Sequence, residues 1–445
     1  MILNAHVRPV RTSDHGTMAE ETARIRWPRI ASDMVDDVKR TIWEEDVLSS
    51  MAEEGAGVVR GLEALKDDIV SDMPLTELSG TLNPDVQWFN NYIRSSDKIS
   101  WLDAPWLFAE CYLYRRVHSI FLETNYWKNY DVFERQKKST FIKSQVAVLE
   151  LALRYASTGA NLEDCDLDPE QQFLLFSEMT QVALWGNATD LSLLTHLSLE
   201  ELQSLQGRES IRKSQHNIVD NDLQEAWSYL NSAEYLQSGR QVDIVLDNSG
   251  FELFTDLVFA AYLLEQKIAK EIRLHVKDFP WFVSDATRSD VEWLLDALKS
   301  TEYFPTRAGI DSLHSCLVGL FGSGKIDIIS NWFWTTGSSY HEMHERAPAL
   351  LADLKTRDLV IFKGDLHYRK LTNDALWPYL TSFQEALGPL GNETGLRVLS
   401  LRTNKADVCV GLESEQQLEE LESACPNGTW VRNGKYAVAS FRKND

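Results

Sequence analysis

Much that would declare an activity is missing from this 445-residue chain. Its five cysteines, Cys111, Cys165, Cys316, Cys409 and Cys425, form no C-x-x-C pair. A disulfide framework is therefore not expected, and buried or free thiols in a reducing compartment are. No run approaches the roughly 20 apolar residues needed to span a bilayer. The first residues, MILNAHVRPVRTSDHG, hold no apolar segment of signal-peptide length. These absences predict a soluble, cytoplasmic protein, with the nucleus also open to it. Positive charge is scarce as well: 44 Lys and Arg stand against 67 Asp and Glu, a formal charge of −23. That field repels phosphate backbones, so neither nucleic acid nor membrane is an expected partner. No G-x-G-x-x-G marks a dinucleotide site, and no G-x-S-x-G marks a serine hydrolase.

What is present is core. Apolar residues make up 44% of the chain and Trp occurs 14 times, enough for two or three packed domains. Helical spacing of apolar residues dominates residues 1–206, the expected helical N-terminal domain. Its clearest helix is Trp101–Arg116, with Asp103 as cap and Pro105 in the first turn. Phe141–Ser157 and Pro169–Leu184 carry the same spacing. A polar stretch, 207–221, has little periodicity and reads as a connection. From 222 to 445 the pattern changes. Short β-rich runs, Val242–Leu246, Ile272–Val276, Ile326–Ile329, Leu359–Phe362 and Leu396–Leu401, alternate with helical stretches at 250–270, 290–298, 311–320 and 342–355. Such alternation predicts an α/β domain with a mostly parallel sheet covered by helices. Ligands of such sheets collect beyond the carboxyl ends of the strands.

Polar residues crowd those predicted strand ends. Asp247 and Asn248 follow the first, Asp285 the second, Lys363 and Asp365 a later one, and Arg402 and Lys405 the next. Oxygen donors suit a hard divalent cation, and Arg or Lys suits phosphate oxygens. Each group also has a structural alternative. Asp247-Asn248 and Asp285 can cap helices, Lys363-Gly-Asp365 can be a turn, and Arg402 and Lys405 can be solvated charges. Two other motifs read as structural. Gly319-Leu-Phe-Gly-Ser-Gly-Lys-Ile326 lacks the Ser or Thr of a P-loop and runs from helix to strand, which predicts a helix C-terminal turn. His341 and His344 are spaced wrongly for a zinc helix.

Five ordered strings carry a family resemblance: Leu246-Asp-Asn-Ser-Gly-Phe-Glu-Leu253, Pro280-Trp-Phe-Val-Ser-Asp285, Phe333-Trp-Thr-Thr336, Lys363-Gly-Asp-Leu-His-Tyr-Arg369 and Arg402-Thr-Asn-Lys405. Together they resemble the damage-control phosphatases. The Arg-Thr-x-Lys element is similar to that of the sugar-phosphate phosphatase subfamily, whose members are also described as protein carboxyl methyltransferases. The resemblance implies a Rossmann-like three-layer α/β/α domain beside the helical one. It implies hydrolysis of small phosphate monoesters, fructose 1-phosphate and fructose 6-phosphate among them, with Mn²⁺, Mg²⁺, Ni²⁺ or Co²⁺. Asp247, Asn248 and Asp285 match its metal ligands. Asp365, Leu366, His367, Tyr368, Arg369 and Lys405 match its substrate-contact segments, and Glu252 lies in the matching helix start. His367 and Ser249 stand where the family strings carry Asn and Ala, a departure that bears on substrate preference more than on the metal.

The expected mechanism places a divalent ion on Asp247, Asn248 and Asp285. Lys405, with Lys363 or Arg369, holds phosphate oxygens. A carboxylate then either activates water or attacks phosphorus itself, with Asp247 the better candidate for attack and Asp365 for proton transfer. Glu110 and Arg115 are candidates to face the same cleft, although a salt bridge on the helix surface is the stronger reading of that pair. The expected partner is a small phosphorylated metabolite, bound by a monomer. Two alternatives stand beside this reading. One is an S-adenosylmethionine-dependent methyltransferase, against which the missing glycine-rich loop counts. The other is a non-catalytic metal-bound interaction protein.

Overall fold

The structure is a computed structural model that describes residues 7–44, 47–80, 83–162, 167–186, 215–232, 239–392 and 394–442. Its strands are β1 (Ile218–Asn221), β2 (Arg240–Val245), β3 (Ala269–Val276), β4 (Ile326–Ser330), β5 (Leu359–Lys363), β6 (Val398–Thr403) and β7 (Ala437–Arg442). They form one sheet in the order β1-β7-β6-β5-β2-β3-β4. All neighbours are parallel except β6 and β7. The expected mostly parallel α/β sheet is therefore present. The central strands are apolar at nearly every position because both faces are covered. Ile244 and Ile361 enter one core, while Val245, Val360 and Phe362 enter the other.

Helices of eight residues or more are α1 (Trp27–Glu44), α2 (Ser49–Val70), α3 (Pro84–Ser95), α4 (Trp106–Leu122), α5 (Glu134–Lys143), α6 (Gln145–Leu162), α7 (Pro169–Trp185), α8 (Leu223–Leu230), α9 (Gly250–Glu265), α10 (Arg288–Lys299), α11 (Ile310–Gly322), α12 (Gly364–Leu371) and α13 (Glu415–Ala424). Helix α9 is buried from Gly250 through Leu264, so it is apolar all round and not amphipathic. Helices α6 and α7 pack into the same core as α9 and the sheet. Helices α1 to α4 make a separate core around Trp27, Leu62, Phe89 and Phe108, which also takes in Trp281 and Leu366 from the sheet region.

The chain order of the strands makes one crevice special. From β2 the chain runs outward through β3 to β4, then returns on the other side of β2 as β5. Connections leave β2 and β5 in opposite directions, so their carboxyl ends are not blocked between them. Both ends carry predicted site residues.

Several sequence expectations are corrected. The connection expected over 207–221 ends in strand β1, and its residues 207–214 lie outside the described residues, as does the domain boundary at 206. Strand β7, which the runs above did not include, fills the place between β1 and β6. Helix α4 starts at Trp106 and not at Trp101, with Pro105 at its N-cap. Asp103 does not cap it, because Arg11 takes its carboxylate at 2.7 Å. The helix expected over Phe141–Ser157 belongs to two, α5 and α6, broken at Ser144. The P-loop look-alike is the end of α11 and the turn into β4, with Gly324 at φ 71°. His341 is buried against the carbonyls of Leu371 and Ala386. The four described cysteines are unpaired. Among the described residues, no helix is long and apolar enough to cross a membrane.

Strand β1 supplies a stability prediction. Asp220 is buried, and burial followed by the charge of Asp222 pushes its carboxyl up to about 8. Between the ordinary carboxylate range and that value the folded state holds a proton that the unfolded state has released. Stability therefore falls as pH rises through this window, by about 1.4 kcal/mol per pH unit at most. Asp220→Asn is expected to remove the dependence. Its melting midpoint should match wild type near pH 4 and exceed it by several degrees at pH 8. A difference that does not widen with pH counts against the assignment.

Candidate active site

Strand β2 delivers its chain end into a tight junction. Leu246 accepts from Lys277 Nζ, Asp247 and Asn248 follow, and Ser249 is the N-cap of α9, with Gly250 at φ 70°. Asp247 and Asn248 are therefore not the cap. Opposite them, the loop after β3 runs back alongside. Asn248 and Asp285 form an antiparallel bridge, Ala286 N donates to Asp247 O at 2.8 Å, and Ser249 N donates to Ser284 O at 2.7 Å. Asp285 does not cap α10 either, since Thr287 and Asp290 form that capping box. Two strand ends are thus stitched together by backbone bonds, which fixes Asp247, Asn248 and Asp285 at one place.

The side chains confirm the convergence. Asn248 Nδ2 donates to Asp247 Oδ2 at 2.7 Å and to Glu252 Oε2 at 2.8 Å. Its Oδ1 accepts from the Ser284 hydroxyl. Asp285 Oδ2 lies 3.0 Å from Lys277 Nζ, at an angle that leaves this buried oxygen without a hydrogen bond. Asp247 is 5% and Asp285 2% exposed, so two carboxylates share a dry site. Burial, then the charges of Asp285 and Glu252, push the Asp247 carboxyl well above the usual range. Burial also raises Asp285, against the pull of Lys277. Among the described residues no three His, Cys, Asp or Glu side chains group as a metal centre. The set found is two carboxylates and one carboxamide. Buried acids short of positive charge, one with an orphaned oxygen, fit a hard divalent cation with oxygen ligands.

Strand β5 brings the other half. Gly364, at φ 83°, packs so closely that a Cβ there would lie 1.9 Å from Asp247 Oδ2. Glycine is required by both contact and backbone. Lys363 is buried, with its Nζ 2.8 Å from Asp256 Oδ1, 3.3 Å from Glu252 Oε1 and 2.6 Å from Ala183 O. Burial alone would lower this amine, but Asp256 and Glu252 hold it above its ordinary value. Asp365 Oδ1 accepts from Arg402 Nε at 2.8 Å and from Lys405 N at 3.2 Å, so β6 adds its end residues to the same rim.

Not every anticipated residue faces that rim. Helix α12 turns its side chains in successive directions, and only its first turn can reach the site. Leu366 is 4% exposed in the core of the helical layer. His367 faces inward, with Nε2 3.0 Å from Lys277 Nζ and Nδ1 against the Tyr340 hydroxyl. Burial, then Lys277 and Lys370, hold it well below the usual histidine range, so it is neutral. Tyr368 is buried beneath the Arg402 guanidinium, and its hydroxyl accepts from Val410 N. Arg369 is committed to Asp374 by a two-pronged pair at 3.0 Å and to Glu110 at 2.7 Å, over the Trp106 ring. Arg402 itself is fully buried and also donates to the carbonyls of Val408 and Ala406, which makes it a brace for Asp365. Glu110 meets the sheet domain through Arg369, whereas Arg115 pairs with Asp85 within the helical layer.

Sequence reasoning missed Lys277, Asp256 and Ser284. Lys277 follows β3 directly, in the same string as Asp285, and that strand-end position was the available signal.

Comparison with known proteins now decides the family. A model described as "Damage-control phosphatase ARMT1-like domain" matches residues 22–421. The chain belongs to the ARMT1-like damage-control phosphatase family. It is 33% identical to "Damage-control phosphatase ARMT1" of Danio rerio over 443 residues, covering 96% of this chain and 95% of that one. With the Homo sapiens protein of the same name it shares 32% identity over 96% of this chain and 97% of that one. A solved structure of a DUF89 family protein from Pyrococcus horikoshii aligns at 14% identity and a TM-score of 0.39, a likeness too slight to build on. In this member of the ARMT1-like family, all five motif strings lie in the described residues, and four of them meet at one rim.

Proposed function

We propose that this chain is a metal-dependent phosphatase of small phosphate monoesters, with sugar phosphates such as fructose 1-phosphate and fructose 6-phosphate as its substrate class. Family membership supports the phosphatase reading. The single observation that carries the metal is the meeting of Asp247, Asn248 and Asp285 in a dry crevice between β2 and β5. These three residues would hold Mn²⁺ or Mg²⁺, which when bound supplies Lewis-acid stabilisation of phosphoryl charge.

The protein's own groups do the rest. Glu252 and Asp247 share the two N–H bonds of the Asn248 amide, which fixes its oxygen toward Ser284 and the crevice. Lys277 and Lys363 stand behind the acids and offset part of the buried negative charge. Asp247 would either attack phosphorus itself or activate the water that does, the ester P–O bond breaking as the alcohol oxygen leaves with a proton. Asp365, held by Arg402 and by the Lys405 backbone, presents a carboxylate for proton transfer at the more open edge. Lys405, half-buried at that edge, would meet phosphate oxygens.

The test is release of inorganic phosphate from fructose 1-phosphate and fructose 6-phosphate, with Mn²⁺ present and after chelation. Turnover should fall at least ten-fold on chelation and return with added Mn²⁺. Turnover indifferent to chelator would remove the metal from the reading. Methyl transfer from S-adenosylmethionine without phosphate release would replace the reading altogether.

A further inference from the structure

The loop that carries Asp285 has a backbone that its sequence resists. Phe282 and Val283 lie consecutively in the left-handed region, at φ 44° and 69°. A single residue there is uncommon, and a β-branched one is strongly disfavoured. Two in succession close a left-handed turn: Asp285 N donates to Trp281 O at 3.1 Å, and Ser284 N donates to Phe282 O at 2.8 Å. The turn's product is the pair of side chains just beyond it. Ser284 reaches Asn248 Oδ1, and Asp285 reaches Lys277.

Such a conformation persists only where surroundings over-determine it. Here they come from the helical layer. Tyr114, on α4, is 3% exposed and stacks on Phe282 with ring centroids 4.7 Å apart. It also touches Trp281 at 5.9 Å. Trp281 has no exposed surface and belongs to the core of α1 to α4. One turn along α4 from Tyr114, His118 stacks flat on Phe279 at 3.7 Å. Helix α4 therefore grips the loop's first arm, from Phe279 to Phe282, more than 160 residues away in sequence, and hydrogen bonds to the junction after β2 hold its far side.

We propose that Tyr114 is a positioning residue for the metal centre, which holds the Phe282–Val283 turn in its left-handed form so that Ser284 and Asp285 face Asn248 and Asp247. The proposal rests on the metal-dependent reading given above. It assigns the helical layer a function: this layer sets the affinity of the crevice for its cation, through a strained turn and not through a ligand of its own. Val283 makes the device dependent on that grip, since glycine would hold the same turn unaided.

That dependence gives the test. Mn²⁺ binding is measured by titration calorimetry on the full chain, with thermal melting recorded on each metal-free variant. Wild type should bind one Mn²⁺ at the crevice, and Asp285→Asn should abolish binding. Tyr114→Leu should weaken binding about ten-fold, the equivalent of one left-handed residue's strain. Val283→Gly alone should bind within about two-fold of wild type and melt a few degrees higher, because its strain is gone. The double variant, Tyr114→Leu with Val283→Gly, should recover most of the lost affinity. A merely structural Tyr114 would show no such rescue. If Tyr114→Leu does not fold, Phe282→Leu, which removes the other half of the stack, is measured in the same way with and without Val283→Gly. Wild-type affinity in the Tyr114 or Phe282 variant, or a double variant as weak as the single, overturns the inference. Failure of wild type to bind Mn²⁺ in a manner sensitive to Asp285 overturns the underlying reading instead.

Discussion

Asp247→Asn is expected to lower phosphate release by about three orders of magnitude or more, while the metal-free protein melts higher than wild type. The two effects share one cause. Asp247 is nearly isosteric with Asn, so packing against Gly364 is kept. What changes is charge. In the metal-free chain the Asp247 carboxylate sits in a dry site beside Asp285 and Glu252, and burial with those neighbours disfavours its ionised form. Removing the charge relieves that repulsion, a gain of roughly 1–3 kcal/mol. Removing it also takes away the proposed cation's strongest donor and the group proposed for attack. Saturating Mn²⁺ should reverse the order of stability, because on the proposed reading it would bind wild type and stabilise it by mass action. The measurements are phosphate release and melting with and without Mn²⁺. A variant that loses activity and also melts lower without metal would mean that Asp247 is a structural acid, balanced by Lys277 and Lys363 alone.

How much of this was legible in the sequence follows from where each partner lies along the chain. Asp247, Asn248, Asp285 and Asp365 were legible because parallel topology sends every strand end to one rim, so position after a strand is enough. Their depth was not. Lys277 occupies the same kind of position, but a lone lysine after a strand reads as surface. Its burial comes from Leu246 and His367, 31 and 90 residues away. Asp103 shows the reverse error. Its local pattern is a good cap, and Arg11, 92 residues earlier, claims it first. The string from Leu366 to Arg369 reads as one substrate segment, but a helix distributes neighbouring residues to different faces, and only the packing shows which face is the crevice. The left-handed turn at Phe282–Val283 gave no signal at all, because neither residue type favours that region. The grip of Tyr114 is visible only in three dimensions.

Lys363→Met should produce the largest loss of stability of any change discussed, about 3–5 kcal/mol. Lys363 has 1% of its side chain exposed and faces two acids that are as deeply buried. Asp256 depends on it almost wholly, since both carboxylate oxygens lack a hydrogen bond of good geometry. Burial already raises the Asp256 carboxyl to about 7 with Lys363 in place. Without that amine, Asp256 must take up a proton or leave the core, and Ala183 O loses its donor as well. Because the folded state would then bind a proton that the unfolded state releases, the deficit should deepen as pH rises from 5 to 8. A second substitution separates charge from shape. In Lys363→Met with Asp256→Leu the unpaired acid is gone, and most of the lost stability should return. Activity should not return with it. Lys363 also bonds Glu252 Oε1, whose other oxygen holds the Asn248 amide, so the double variant regains the fold while the hold on that proposed metal donor stays slack. Recovery of both stability and turnover would show instead that Lys363 serves Asp256 only, and that the orientation of Asn248 is set by Asp247 and Ser284 without help from beneath.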